Sequence, residues 1–318
     1  MTPAAVDLSI IIVTWNAKKF VEECLGSLRF SSENPAWETI VVDNASSDGT
    51  LELIRSEFPQ VKLIENESNL GFAKGNNVGM RASRGRYVCL INSDVNVPRE
   101  CLGSMLAYMD ANREVGVLGP RMIGPTGRVT RSYMRFPTVW RDLCNSLGLH
   151  NVFNRSKVFS GILMTDFRND RTAEVDVLNG WFLMVRREAL EEVGLLDERF
   201  FMYGEDIDWS YRFHLAGWKR VYFSGASALH YGAASSSAAP VRFYAEMQRA
   251  NLQFWKKHHT RLEVFAHEAT LWLHLAIRIV GYAFVYMFVK SSRTETSMKI
   301  DRSLKLMTMR WTDVKLGA

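Results

Sequence analysis

Cysteine is scarce in this chain: four residues in 318, Cys24, Cys89, Cys101 and Cys144. None forms a CxxC pair, which excludes a disulfide scaffold and a zinc ribbon. Two lie in apolar stretches, so all four read as reduced structural thiols of an intracellular protein. No Lys or Arg precedes Lys18, and the apolar run 8–13 is too short for a signal-peptide core, so no signal peptide is expected. The three N-x-S sequons at Asn44, Asn66 and Asn154 then carry little meaning. Several motifs are also missing. Glycines recur at Gly71, Gly75 and Gly79, yet the segment fits neither GxGxxG nor GxxxxGK[ST], so neither a dinucleotide fold nor a P-loop is supported. His267-Glu268 has Leu271 where a zinc-protease helix needs its second histidine. No internal repeat occurs, and the one biased tract is 233–239.

What is present is a large apolar share, 47% of residues, enough for a core. The net charge of +5 is unevenly placed: residues 1–239 carry −2 and residues 240–318 carry +7. The basic character belongs to the C-terminal quarter, which could meet nucleic acid, phospholipid or no partner.

Strand and helix patterns alternate along the first third. Segments 8–14, 38–43, 61–64 and 86–91 read as strands, and 18–28, 50–58 and 69–82 as helices. Repeated βαβ units with unbroken apolar strands imply a mostly parallel sheet covered on both faces. Ligands bind such sheets at the carboxyl ends of the strands. Those ends read Thr14-Trp15-Asn16, Asp43-Asn44 and Asn92-Ser93-Asp94. Residues 120–175, rich in Gly, Pro, Arg and Asn, read as loops over a cleft with a helix near 139–147. The pattern then predicts a strand over 175–186, helices over 188–193 and 205–216, a strand over 220–223 and a short one ending at His230. From 241 onward it is helical.

Three places carry chemistry. Asp94 reads either as a Mg²⁺ or Mn²⁺ ligand or as a helix cap before Pro98. Glu205-Asp206-Ile207-Asp208 opens a helix, where the macrodipole alone favours acids. The aromatic residues around it equally suit a cleft with a general base. His230 ends a strand, and its case rests on recurring with the other two.

Taken in order, Thr14-Trp15-Asn16, the run 41–50, the run 69–76, Asn92-Ser93-Asp94, the run 201–208 and His230 resemble glycosyltransferase family 2, rhamnosyltransferase-like branch, over roughly 7–235. The resemblance implies an α/β GT-A fold, a mostly parallel central sheet flanked by helices, and an inverting transfer from a nucleotide-diphospho-sugar donor. It implies nucleotide contacts by Thr14, Asn16, Asp43, Asn44 and Asn76. It implies Mg²⁺ or Mn²⁺ held by Asp94 and His230, with Asn92 at the first position of the DxD motif. Asparagine there keeps a carbonyl oxygen and drops a charge. Asp206, beside Glu205, matches the catalytic base of the ED motif. Gly180, Trp181 and Trp209 would shape the acceptor pocket, with Arg212 supporting the acids. The donor implied is dTDP-rhamnose, with a UDP-hexose next, and the acceptor a glycan or polyprenyl-linked glycan of cell-surface polysaccharide synthesis.

A sugar-nucleotide pyrophosphorylase ranks below, because it wants a Gly-rich basic loop where Thr14-Trp15-Asn16-Ala17-Lys18 stands. A non-catalytic nucleotide- or lipid-binding module leaves the acids unexplained. The expected domains are a catalytic one over 1–239 and a basic helical extension over 240–318. Run 269–289 is long enough to span a membrane, but Arg278 sits near its centre. His267, His274, Arg278 and Tyr282 share one helical face, which favours an interfacial helix making peripheral membrane contact through 262–293. Lys256, Lys257, Arg261, Lys290 and Arg293 would meet anionic headgroups. Packing on the catalytic domain or on a second subunit, as a homodimer, is the other reading of the tail. No nucleic-acid partner is expected. The location expected is cytoplasmic, at the inner face of the cell membrane.

Overall fold

The computed structural model describes residues 6–30, 34, 36–232, 240–288 and 293–308. The biased tract 233–239, the expected boundary at 239 and Lys290 lie outside them. The chain groups into two compact units: unit 1 is 1–134 with 169–235, and unit 2 is 135–168 with 236–318.

Unit 1 opens with β1 (Leu8–Thr14), α1 (Lys18–Ser27), β2 (Trp37–Asp43), α2 (Thr50–Glu57), β3 (Lys62–Glu65), α3 (Gly71–Ala82) and β4 (Tyr87–Asn92). Then come β5 (Val95–Asn96), α4 (Arg99–Ala111), β6 (Val115–Ile123), β7 (Val129–Thr130) and β8 (Tyr133–Met134). Unit 2 begins with α5 (Val139–Ser146) and α6 (Leu149–Val152). The chain returns to unit 1 with β9 (Ala173–Glu174), β10 (Val177–Leu178), β11 (Phe182–Arg186), α7 (Arg187–Val193), α8 (Glu205–Leu215) and β12 (Lys219–His230). Unit 2 closes with α9 (Pro240–His258), α10 (Arg261–Phe288) and α11 (Arg293–Thr308).

The main sheet runs β3-β2-β1-β4-β11-β6-β12-β5. The first four strands are parallel, as the βαβ pattern requires. β11 then enters antiparallel between β4 and β6, while β6 and β12 are again parallel. The predicted single strand 175–186 is in fact two. β10 pairs with β8 in a separate two-stranded sheet, and β11 joins the main sheet, so the chain breaks at 179–181. The expected pair of strands over 220–230 is one strand, with an irregularity between Phe223 and Ser227.

The glycines spaced four apart on α3 have a packing reason. A Cβ at Gly75 would lie 2.9 Å from Val13 Cγ1, and one at Gly79 would lie 2.4 Å from Ile11 Cγ2. These two glycines let α3 settle directly on β1. Gly71, with φ +78, starts the helix against the Phe201 carbonyl, which accepts from the Phe72 N–H at 2.8 Å.

Segment 135–168, part of the stretch 120–175 read as loops, packs with the C-terminal helices within unit 2. The reason is polar: His267 Nδ1 of α10 lies 2.6 Å from Asp142 Oδ2 of α5, and the His267 ring stacks on Trp255 of α9. Thus the polar stripe of α10 begins inside unit 2 rather than facing water. Arg278 meets Tyr282 on the same helix, at 2.9 Å.

Overpacking a tight site costs roughly 1–3 kcal/mol. Gly79→Val is therefore expected to lower unfolding stability by about that much in urea denaturation. Gly103→Ala, where nothing lies within 4 Å, should leave stability unchanged or raise it by up to about 1 kcal/mol. Equal effects at the two positions would contradict the close approach.

Candidate active site

The carboxyl ends of β1 and β2 are laced together. Asn16 Oδ1 accepts from the Ser47 N–H, and the Asn16 N–H donates to Ser46 Oγ, each at 2.8 Å. Asp48 accepts from the Lys18 N–H at the start of α1 and from the Thr50 N–H at the start of α2. Asn16 and Ala45 take positive φ, 48° and 62°, conformations that bulky side chains avoid. Thr14 and Asp43 are register partners, so their side chains share a face. Both are buried. Thr14 Oγ1 and Asp43 Oδ1 have no hydrogen-bond partner, while Asp43 Oδ2 accepts from the Ser46 N–H. Orphaned polar atoms at adjacent strand ends are costly unless a ligand uses them.

Asn44 and Asn76 have other employment. Asn44 is buried and bonds Asn66, Asn69 and the Gly71 carbonyl, holding the β3–α3 loop. Asn76 is buried and donates to the Phe72 carbonyl one turn earlier. Their amides hold the loops at the carboxyl ends of the strands. Asn77, which the sequence did not single out, clamps the loop before α8: it donates to the Leu196 carbonyl and accepts the Leu196 N–H.

Asp94 follows β4, and His230 ends β12. The pairing of β5 with β12 sets His230 opposite Val95. His230 Nε2 thereby lies 3.1 Å from Asp94 Oδ1. The imidazole stacks on Trp181, with ring centroids 5.2 Å apart, and its Nδ1 faces Met122 Sδ. Asn92 is tied by its backbone, its N–H donating to the Trp181 carbonyl at 2.9 Å. Among the described residues no group of three or more His, Cys, Asp or Glu could hold a metal. One carboxylate and one imidazole are a donor set for a hard divalent ion that substrate phosphates complete, and not for a closed structural site.

The acids stand at the N-terminus of α8. Tyr203 and Gly204 both take left-handed φ, 66° and 77°, and this reversal aims Glu205 and Asp206 back at the sheet. Asp206 accepts from the Gly180 N–H at 3.2 Å and the Ile207 N–H at 2.8 Å. Glu205 Oε2 is buried without a partner. Burial pushes the Glu205 carboxyl well above the usual carboxylate range, and the neighbouring Asp206 charge adds to this. Burial also raises Asp206, but the two N–H donors pull it back. Within the pair, protonation is therefore favoured at Glu205 over Asp206.

Trp209 and Arg212 brace the helix, Arg212 supporting the acids as expected. Trp209 is 1% exposed and donates to the Gly194 carbonyl, so it packs beneath the site. Arg212 pairs with the fully buried Asp208 at 2.9 Å and donates to the Val193 and Leu195 carbonyls. Its guanidinium locks α8 to the 193–195 loop. Gly180 and Trp181 do sit at the site, at the break between β10 and β11.

The architecture is that of the GT-A fold. The mannosyltransferase PcManGT of Pyrobaculum calidifontis, solved with GDP-Man and Mn²⁺, matches at TM-score 0.58 and 18% identity, covering 96% of this chain and 88% of its own. TarS 1–349 of S. aureus, solved with UDP, matches at TM-score 0.52 and 18% identity, covering 97% and 83%. Both likenesses are of fold alone. The Glycosyl transferase family 2 profile matches residues 9–194. The N-acetylglucosaminyl-diphospho-decaprenol L-rhamnosyltransferase of Mycobacterium tuberculosis is 30% identical over 268 residues, covering 80% of this chain and 85% of that protein. The chain belongs to glycosyltransferase family 2, and within it is rhamnosyltransferase-like.

A carboxyl whose folded pKa is raised binds more protons folded than unfolded, so its penalty grows as pH rises from the ordinary carboxylate range toward the raised value. Glu205→Gln mimics the protonated acid. It is expected to raise Tm by a few degrees at pH 8 and to leave it unchanged near pH 4. A Tm gain of the same size at both pH values would contradict the protonated assignment.

Proposed function

We propose that the chain is an inverting transferase that moves L-rhamnose from dTDP-rhamnose to a hydroxyl of a polyprenyl-diphosphate-linked glycan in cell-surface polysaccharide synthesis. The observation that carries the catalytic part is the Asp206 carboxylate, desolvated beside Glu205 and held by the Gly180 N–H. The donor and acceptor are supported by the likeness to a relative named for L-rhamnosyl transfer to N-acetylglucosaminyl-diphospho-decaprenol.

Asp206 takes the proton of the acceptor hydroxyl. The hydroxyl oxygen forms its bond to the anomeric carbon from the face opposite the nucleotide, and the bond from that carbon to the diphosphate oxygen breaks. The diphosphate leaves with the electron pair, through a transition state with oxocarbenium character. Burial raises the Asp206 pKa above that of a free carboxylate, which makes it a stronger base. Thr14 and Asp43 offer a hydroxyl and a carboxylate oxygen to the base and ribose, with Asn16 at the rim. Asp94 and His230, with Asn92 alongside, would hold Mg²⁺ or Mn²⁺ against the diphosphate. Bound there, the ion supplies Lewis-acid stabilisation of the departing charge. Gly180 and Trp181 border the acceptor side. The working place proposed is the inner face of the cell membrane, by peripheral contact through 262–293, with residues 289–292 outside the described structure.

Asp206→Asn is expected to lower kcat by at least about 100-fold, with nucleotide affinity by calorimetry unchanged. In wild type the rate should fall as pH drops through the raised Asp206 pKa, since the base must be ionised. Comparable loss of nucleotide binding in the variant would contradict the base role. His230→Ala, or chelation by EDTA, should weaken donor diphosphate binding about 10-fold or more, restored in wild type by Mn²⁺. Donor binding indifferent to both would contradict the metal site.

A further inference from the structure

α10 is turned inside out relative to a water-facing helix. Between 262 and 288 every exposed position is an aliphatic, aromatic, Gly or Met residue. They recur at 262, 265, 269, 272, 276, 280, 284 and 287, a continuous stripe at helical spacing. Phe265, Val280, Phe284 and Phe288 are each 60% or more exposed. Its polar residues His267 and Thr270 are buried instead. α10 alone of the described helices is long and apolar enough to cross a membrane.

The second observation comes from the segment inserted before β9. Val152 and Val158 are strongly exposed, and Trp140 and Phe153 are half-exposed around Phe159. Arg155 and Lys157, both exposed, stand among them in the chain. Charge is the third observation. Unit 2 carries a net +10 and unit 1 a net −5.

We propose that unit 2 is a lipid-docking module, in which the outward stripe of α10 and the inserted segment 135–168 both engage an anionic phospholipid surface. Exposed aromatics with interleaved cations suit the headgroup boundary. A second copy is disfavoured as the occupant, because two units of +10 would repel. A span is disfavoured because α10 packs against α5, α9 and α11 and holds its His267 to Asp142. The proposal adds 135–168 to the membrane contact and rests on the reading that the acceptor is membrane-borne.

The full chain is floated with phosphatidylcholine vesicles, with and without phosphatidylglycerol. Binding is expected to be roughly tenfold tighter with phosphatidylglycerol and to weaken with salt. Alkaline carbonate should release the protein. Val280→Glu/Phe284→Glu and Val152→Glu/Val158→Glu should each cut binding about tenfold, with thermal melts and nucleotide binding unchanged. The second variant separates this proposal from one confined to α10. Wild-type flotation by it would overturn the role of 135–168. Failure of the wild type to float, equal binding to neutral vesicles, carbonate resistance, or a dimer dissolved by Val280→Glu/Phe284→Glu would each overturn docking to anionic lipid. Rhamnosyl transfer to a soluble acceptor, measured alongside, reports on the transferase reading separately.

Discussion

Two neighbouring carboxyl groups withdrawn from water are expensive, and the architecture of unit 1 around α8 is what makes the pair tolerable. Two backbone N–H groups face Asp206 and favour its charged form, one from its own helix and one from Gly180. The Gly180 donor exists only because β10 and β11 part into different sheets there. The left-handed Tyr203 and Gly204 turn the chain so that the helix begins with both acids facing inward. Asp208 and Arg212 then fix the helix to the preceding loop, at a place where breaking the pair would strand a buried charge, a loss of about 3–5 kcal/mol. The helix dipole adds to the stabilisation of the anion.

The remaining groups converge because the parallel strands end together. Thr14 and Asp43 come from adjacent strands in register. Asp94 leaves β4, and the return of β12 beside β5 brings His230 to it across 136 residues of sequence. The groups proposed to meet phosphate and nucleoside thus gather at one end of the sheet, with Asp206, the proposed base, at the start of α8. The strain recorded at Asn16, Ala45 and Tyr203 lies on these same three loops, where pre-organisation is worth its cost.

The parallel half of this fold was legible because its strands are unbroken apolar runs and its helices carry clean periodicity. The antiparallel insertion of β11 was not, since Val177 to Arg186 is apolar on both sides of Asn179-Gly180 and periodicity cannot register a change of sheet. Asp94, Asp206 and His230 were singled out by order and residue type, and the structure brings Asp94 and His230 together. The support that Arg212 was expected to give the acids is its pairing with Asp208, whereas the burial of Trp209 was not legible, because an aromatic next to acids looks the same whether it faces a ligand or braces a helix. Asn44, Asn76 and Asn77 show the same ambiguity, because only the coordinates reveal which carbonyls their amides serve. The glycines of α3 were seen as a pattern without a use, and their use is contact with β1. The polar stripe of α10 was legible as a stripe, but the partner of His267 was not, since Asp142 lies 125 residues away.

The central claim is a single displacement in which Asp206 deprotonates the acceptor. The most direct measurement is the anomeric configuration of the product by NMR, taken after one turnover with dTDP-rhamnose and a polyprenyl-diphosphate N-acetylglucosamine acceptor. Inversion relative to the donor is the expected result. Retention of configuration would contradict it.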